Sequence, residues 1–166
     1  MACATGTRAR EFCFDYMQGE QMMPEKETLE RARKDKREGK APSTQAGEFV
    51  REEIEHVREG KHGARSTKQA IAIGLSKARR AGVELPPPER GSKETKEQAK
   101  RDLRKAGSTK KTSAKRSRAT RAALKREGHS AASKTALSRQ ARSAAKRRSA
   151  ADRSRSAKKA ARTRKK

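Results

Sequence analysis

Apolar side chains recur with the period of an α-helix in the middle of the chain. One set falls on a single face of a helix predicted from Ser43 or Thr44 to about Glu59, and its members are Ala46, Val50, Ile54 and Val57. A second set forms the stripe of a helix predicted from Ser66 or Thr67 to about Ala81, and its members are Ile71, Gly74, Leu75 and Ala78. A short loop joins the two. The pattern therefore predicts a helical hairpin over about 44–82, within a module of residues 43–85, whose core comprises Val50, Ile54, Val57, Ile71 and Leu75.

Charged helices are predicted on both sides of this hairpin. Residues 23–42 form a helix that Pro24 opens and Gly39 closes, with few apolar positions, so we expect it to be solvated. Pro86-Pro87-Pro88 begins a stiff linker over 86–92. Ser92 then caps a second charged helix over 93–106. All the elements predicted are helices, so the fold class predicted is all-α.

The charge of the chain is concentrated at its C-terminal end. The 166 residues include 46 Lys or Arg and 20 Asp or Glu, for a net charge of +26. Residues 107–166 alone hold 22 basic and only 2 acidic side chains, with Ala and Ser filling most other positions. The chain has no Trp, one Tyr and three Phe. This composition excludes the large core of a conventional enzyme, and we expect a polycation with polyanionic partners.

The basic segment 107–166 cannot bury enough apolar surface to offset the entropy of ordering its backbone. We therefore expect it to be disordered alone in water. Ala, Lys and Arg favour helices, so bound anions should induce helices over 113–127 and beyond 130, separated at Gly128.

This tail predicts a non-enzymatic protein that binds DNA by neutralising phosphates, with little sequence preference and no cofactor. The residues predicted to bind nucleic acid are Lys115, Arg116, Arg118, Arg121, Lys125, Arg126, Arg139, Arg142, Lys146, Arg147, Arg148, Arg153, Arg155, Lys158, Lys159, Arg162 and Arg164.

Three alternatives stay open at this point. In the first alternative, the chain is an RNA- or ribosome-associated basic factor. In the second, it docks a protein partner or a second copy of itself through the 44–82 hairpin. In the third alternative a helix-turn-helix presents Thr67, Lys68 and Gln69 to the major groove, although the loop over 60–66 is longer than usual.

Catalytic and metal-binding patterns are weak. Cys3 and Cys13 form no zinc-ribbon spacing. The three histidines, His56, His62 and His129, occupy a polar helix flank, a glycine loop and the tail, where we expect them to be solvated. The acidic residues Glu48, Glu52, Glu55 and Glu59 repeat at the spacing of a solvated helix face. We therefore predict no metal site. No run of 18 apolar residues occurs, so we predict no membrane contact.

Residues 62–82 carry the string Lys68-Gln69-Ala70-Ile71-Ala72-Ile73, followed by Leu75-Ser76, Ala78-Arg79 and Ala81-Gly82. This stretch resembles a family of small basic bacterial proteins, largely uncharacterised, of which some are labelled plasmid-stabilisation or DNA-binding. The Ala/Lys/Ser/Arg tail is similar in composition to linker histones and bacterial histone-H1-like proteins. The first resemblance marks a family and says little about its chemistry, and the second implies an electrostatic role. The first also implies a bacterial source, so we expect the protein in the bacterial cytoplasm, on the nucleoid.

The first 22 residues differ from the rest in composition. Phe12, Phe14 and Tyr16, together with both cysteines, fall within the first 16 positions. We expect residues 1–22 to be a disordered leader or not part of the native protein, with translation starting at Met22 or Met23.

Overall fold

The computed structural model of the chain describes residues 24–88, 91–106 and 113–164. Its secondary structure in this part of the chain is entirely helical, which confirms the all-α fold class. We number the α-helices in chain order: α1 Lys26–Arg37, α2 Pro42–Arg58, α3 Thr67–Arg80, α4 Lys93–Arg104, α5 Ala114–Lys125, α6 Lys134–Lys146 and α7 Ala150–Arg164, with a 3₁₀ turn at Ser130–Ala132 between α5 and α6.

Local cap residues account for several helix boundaries. The Ser66 side chain accepts a hydrogen bond from the backbone N–H of Gln69, and that of Ser92 accepts one from Thr95, as the sequence predicted. The prediction for α2 was wrong, because Pro42 itself opens this helix and neither Ser43 nor Thr44 caps it. Proline suits this position, since its missing N–H is not required in the first turn.

Helices α1, α2 and α3 form an antiparallel bundle with α2 in the middle. Ala32 of α1, Phe49 of α2 and Ala78 of α3 lie in one apolar cluster. At the other end of the hairpin, Val57 late in α2 packs with Ala70 early in α3. Helix α1 is therefore part of the core, and its expected solvation is corrected: the residues buried on its inner face are Thr28, Ala32 and Asp35.

The core of the hairpin differs from the predicted one. Val57 is fully buried, while the other four predicted core residues, Val50, Ile54, Ile71 and Leu75, are only half-buried. The fully buried positions that the prediction omitted include Phe49, Ala70 and Ala78. Because α1 covers one flank of α2, the buried arc of α2 is turned by roughly 90° from its apolar stripe.

Gly74 allows α2 and α3 to approach closely. A Cβ atom at this position would lie 2.7 Å from Cα of Val50 and 3.0 Å from the carbonyl oxygen of Phe49. Those distances are shorter than any ordinary carbon contact, so a side chain here would push the helices apart. The close approach leaves little room between the helices, and the small residues Ala70 and Ala78 are fully buried there.

Helix α4 packs back on α3 across the proline linker. Its buried Asp102 accepts hydrogen bonds from the Ser76 hydroxyl, at 2.7 Å, and from the guanidinium of Arg80, at 3.1–3.2 Å. The linker thus leads into a helix that is attached to the bundle.

The segment 124–133 of the basic tail docks on the loop that joins α2 and α3. The N–H groups of Gly63 and Ala64 donate to the carbonyl oxygens of Leu124 and Gly128, both at 3.0 Å. Ala131 and Ala132 pack against Val57, and all three are buried. From the sequence we expected the whole tail to bury no apolar surface and to be disordered until it binds anions. Part of that tail instead belongs to the folded unit, and Gly128 separates α5 from the 3₁₀ turn within it.

The predictions for residues 1–22, including the translation start and the two cysteines, lie outside the described residues. Among the helices described, none is both long enough and apolar enough to cross a membrane.

Candidate functional site

The structure presents the predicted nucleic-acid-binding residues on three helices and in the residues that directly follow two of them. All of them are exposed except Arg121, which is half-buried and donates to the Ser117 hydroxyl at 3.2 Å. Helix α7 has no buried side chain among those described. A cationic surface therefore extends along α5, α6 and α7; its members are the residues predicted from the sequence.

Helix α6 carries the most regular part of this surface. Arg139, Arg142 and Lys146 follow one another at helical spacing and line an open groove of about 1010 Å³, whose lining residues all fall within 134–147. Two more cations, Lys134 and Arg147, border the same groove. The spacing presents a row of positive groups along a single helix face, as a phosphate backbone requires.

A second groove, of about 760 Å³, lies between the first turn of α3 and the first turns of α6. Arg65, Lys68 and Arg139 line it, so cations from the hairpin and from the tail meet there. The N-termini of α3 and α6 also border this groove, and helix N-termini carry partial positive charge. Arg65 was not predicted to bind nucleic acid, and Lys68 was predicted only in the helix-turn-helix alternative, because only the docking of the tail brings them beside Arg139.

The acidic residues are mostly used inside the folded unit. Glu48 pairs with Arg31 at 2.8 Å, and Asp35 pairs with Lys40 at 2.7 Å. In the tail, Asp152 pairs with Arg155; hydrogen bonds from Ser149, then from Arg155, hold its pKa below the usual value. With so few carboxylates in the tail, its surface keeps a large excess of positive charge.

The helix-turn-helix alternative loses one of its three contact residues. The Thr67 hydroxyl is buried and donates to the carbonyl oxygen of Ala131 at 2.7 Å. Gln69 is half-buried and its side-chain oxygen accepts a hydrogen bond from the N–H of Arg65. Lys68 alone is fully exposed.

A second cluster of polar side chains lies buried inside the bundle, where the sequence predicted solvated groups. Glu52 and His56 are 2% and 3% exposed, and Glu53 is completely buried. His62 of the loop and Lys77 of α3 complete the set, both at 8%. The expectation of a solvated acidic face is wrong for Glu52, and that of solvated histidines is wrong for His56 and His62. Their partners come from other elements, so helical spacing on α2 did not indicate them.

Two contacts hold the cluster from outside. The backbone N–H of Glu25, just before α1, donates to the carboxylate of Glu52 at 3.3 Å. The carboxylate of Glu25 accepts a hydrogen bond from Nε2 of His56 at 2.9 Å. Lys61 donates to the same carboxylate at 3.1 Å. Hydrogen bonds from His56 and then from Lys61 lower the pKa of Glu25 from its usual value. Glu25 is therefore a carboxylate that orients His56.

The described part of the chain is thus all-helical, with exposed cations along its three tail helices and a buried polar cluster in its bundle. Residues 26–89 match the model of a family of unknown function, DUF6496. The match spans α1 to α3 and includes every member of the buried cluster, but it excludes Glu25 and the basic tail. No curated protein and no solved structure matches the chain.

Proposed function

We propose that this protein binds duplex DNA through the phosphate backbone, without strong sequence preference and without catalysis. The observation that supports the proposal is the row of exposed cations along α5, α6 and α7, which has almost no acidic side chain to neutralise it. Binding to phosphates releases condensed counterions, and this release is the main driving term. In a bacterial cell such a protein would occupy the nucleoid.

The docked segment 124–133 fixes the position of α6 relative to the bundle. Because backbone hydrogen bonds attach the tail to the loop at Gly63 and Ala64, α6 is held beside the first turn of α3. A phosphate backbone that follows α6 along Arg142 and Arg139 reaches Arg65 and Lys68 at the end of the row. Guanidinium groups suit this role, since they donate two parallel hydrogen bonds to phosphate oxygens.

Duplex DNA fits better than single-stranded RNA for a reason of composition. Recognition of unpaired bases uses aromatic side chains on which the bases stack. Between residues 50 and 166 the chain has no Phe, Tyr or Trp. Contacts to the phosphates of a duplex need only the cations that the surface provides.

Equilibrium binding to labelled duplexes of unrelated sequence tests the proposal. The α6 variant changes Arg139, Arg142, Lys146 and Arg147 to Gln. The matched α1 variant changes four exposed cations of the bundle, Arg33, Lys34, Lys36 and Arg37, to Gln. We expect the α6 variant to weaken binding to every duplex by a similar factor, since phosphate contacts carry no base identity. The α1 variant should change binding little.

Three results would contradict the proposal. One is equal weakening by both variants, which would assign binding to total charge rather than to the tail surface. Another is strong preference for one duplex sequence. The third is complete displacement of duplex DNA by a lower concentration of structured RNA at matched salt, which would favour the RNA-associated alternative.

A further inference from the structure

The buried cluster contains three metal-ligating side chains on one side of α2 and its following loop. A carboxylate oxygen of Glu53 and one ring nitrogen each of His56 and His62 lie within 4.8 Å of one another, and all three residues are buried. Glu53 and His56 are three positions apart on α2, so they project from the same helix face. His62 approaches from the loop that the docked segment 124–133 holds in place.

The outer hydrogen bonds set both rings for ligation. His62 Nδ1 lies 3.2 Å from the carbonyl oxygen of Gly63, which can only accept, so Nδ1 carries the proton and Nε2 offers a lone pair. His56 Nε2 donates to the carboxylate of Glu25, so its Nδ1 offers a lone pair. That Nδ1 atom is buried and has no hydrogen-bond partner in the described part of the chain. A carboxylate or a backbone carbonyl on the far nitrogen is the usual outer contact of a metal-bound histidine.

One oxygen of Glu53 then faces an acceptor rather than a donor. Its Oε1 is 3.3 Å from His62 Nε2, and no hydrogen bond joins them. Two atoms bound to one zinc ion at about 2.0–2.1 Å in tetrahedral geometry are about 3.3 Å apart. The separation of these two acceptors is therefore that of two ligands of a common ion.

The charge of the cluster also calls for a cation. Glu52 and Glu53 are two fully desolvated carboxylates, and Lys77 is the ammonium that reaches them, with Nζ 2.8 Å from Glu53 and 3.6 Å from Glu52. These distances are those of ion pairs, and Lys77 Nζ has no hydrogen-bond partner among the described residues. One ammonium leaves one buried negative charge without compensation, and such a charge is costly.

We propose that Glu53, His56 and His62 bind a divalent transition metal ion of the zinc class. Two imidazole nitrogens and one carboxylate oxygen form a ligand set that is typical of zinc. Calcium and magnesium bind sites made of oxygen atoms, so this ligand set does not suit them. Three protein ligands leave the fourth position for water or another group. Such an ion would join α2 to the loop on which the tail docks.

Calorimetric titration of the untagged, metal-free protein with Zn²⁺ tests this site. Cys3→Ser and Cys13→Ser are introduced first, since thiols would bind the same ion. We expect one Zn²⁺ per chain. His56→Gln or His62→Gln should weaken the affinity for Zn²⁺ by about 100-fold or more. That loss exceeds the roughly 10–100-fold loss of metal affinity expected when only an outer hydrogen-bond partner of a ligand is removed. His129→Gln removes the third histidine, which is exposed and outside the cluster, and should leave binding unchanged.

Histidine ¹⁵N NMR of the Cys-free protein gives a readout that needs no cluster variant. Addition of one equivalent of Zn²⁺ should shift His56 Nδ1 and His62 Nε2 strongly and leave both nitrogens of His129 in place. The proposal is overturned if saturable binding is absent, if His129 responds instead, or if folded His56→Gln and His62→Gln variants bind as tightly as the His129→Gln control. DNA affinity measured on the same proteins keeps this result separate from the proposed function.

Discussion

At the scale of single residues, two positions show how much depends on partners distant in the chain. Position 74 requires glycine because the backbone of α2 passes against it. Glu52 is buried where Glu25, just before α1, and Lys77 of α3 both reach it. Periodicity on α2 indicated a helix and placed Val57 correctly in the core. The periodicity could not indicate which side of α2 is covered by another helix. The burial of Phe49 and of the polar cluster was therefore not predicted.

Gly74→Ala tests the close approach of the two hairpin helices. The new methyl group would lie 2.7 Å from Cα of Val50, so the backbones must separate. We expect thermal or urea unfolding to show a loss of about 1–3 kcal/mol in the free energy of unfolding, the usual cost of overpacking.

Gly47→Ala is the matched control. It places the same methyl group in the same bundle, on α2, where no atom lies within 4 Å. Replacing glycine in a helix by alanine should stabilise the protein by about 0.5–1 kcal/mol. Equal effects of the two substitutions would show that helix propensity, and not packing against Val50, governs position 74.

At the scale of elements, helices were easier to predict than their attachments. Ser66 and Ser92 are local signals, read from a few neighbouring residues, and both cap the helices expected of them. The docking of 124–133 has no such signal. It depends on backbone hydrogen bonds and on Ala131 and Ala132, which look like any other alanines of a low-complexity tail.

Gly63→Ala tests this attachment. A Cβ atom there would lie 1.9 Å from the carbonyl oxygen of Glu127, so the docked segment has to move away. Hydrogen exchange should then accelerate at the N–H of Ala64, which in the native protein donates to Gly128. Gly128→Ala provides the control from the other side of the contact, because a Cβ atom at 128 meets nothing within 4 Å. If exchange at Ala64 stays equally slow in both variants, the docking is wrong.

At the scale of the whole molecule, positive and negative charge are segregated. Residues 1–90 carry 18 basic and 15 acidic side chains, and residues 91–166 carry 28 and 5. This asymmetry could be read from the sequence, and it is the basis of the proposed DNA binding. The attachment of the tail changes how it must be tested. A truncation at residue 106 would also uncover Val57 and Ala70, so substitution of exposed cations is the cleaner perturbation.

The salt dependence of duplex binding tests the central proposal most directly. If ten tail cations contact phosphates, log affinity against log salt should fall with a slope of about −9. The α6 variant removes four such contacts, and its slope should be less steep by about 3.6. The α1 variant should keep the slope of the unmodified protein. A slope near zero for the unmodified protein, or one that the α6 and α1 variants reduce equally, would contradict binding through the cationic surface of the tail.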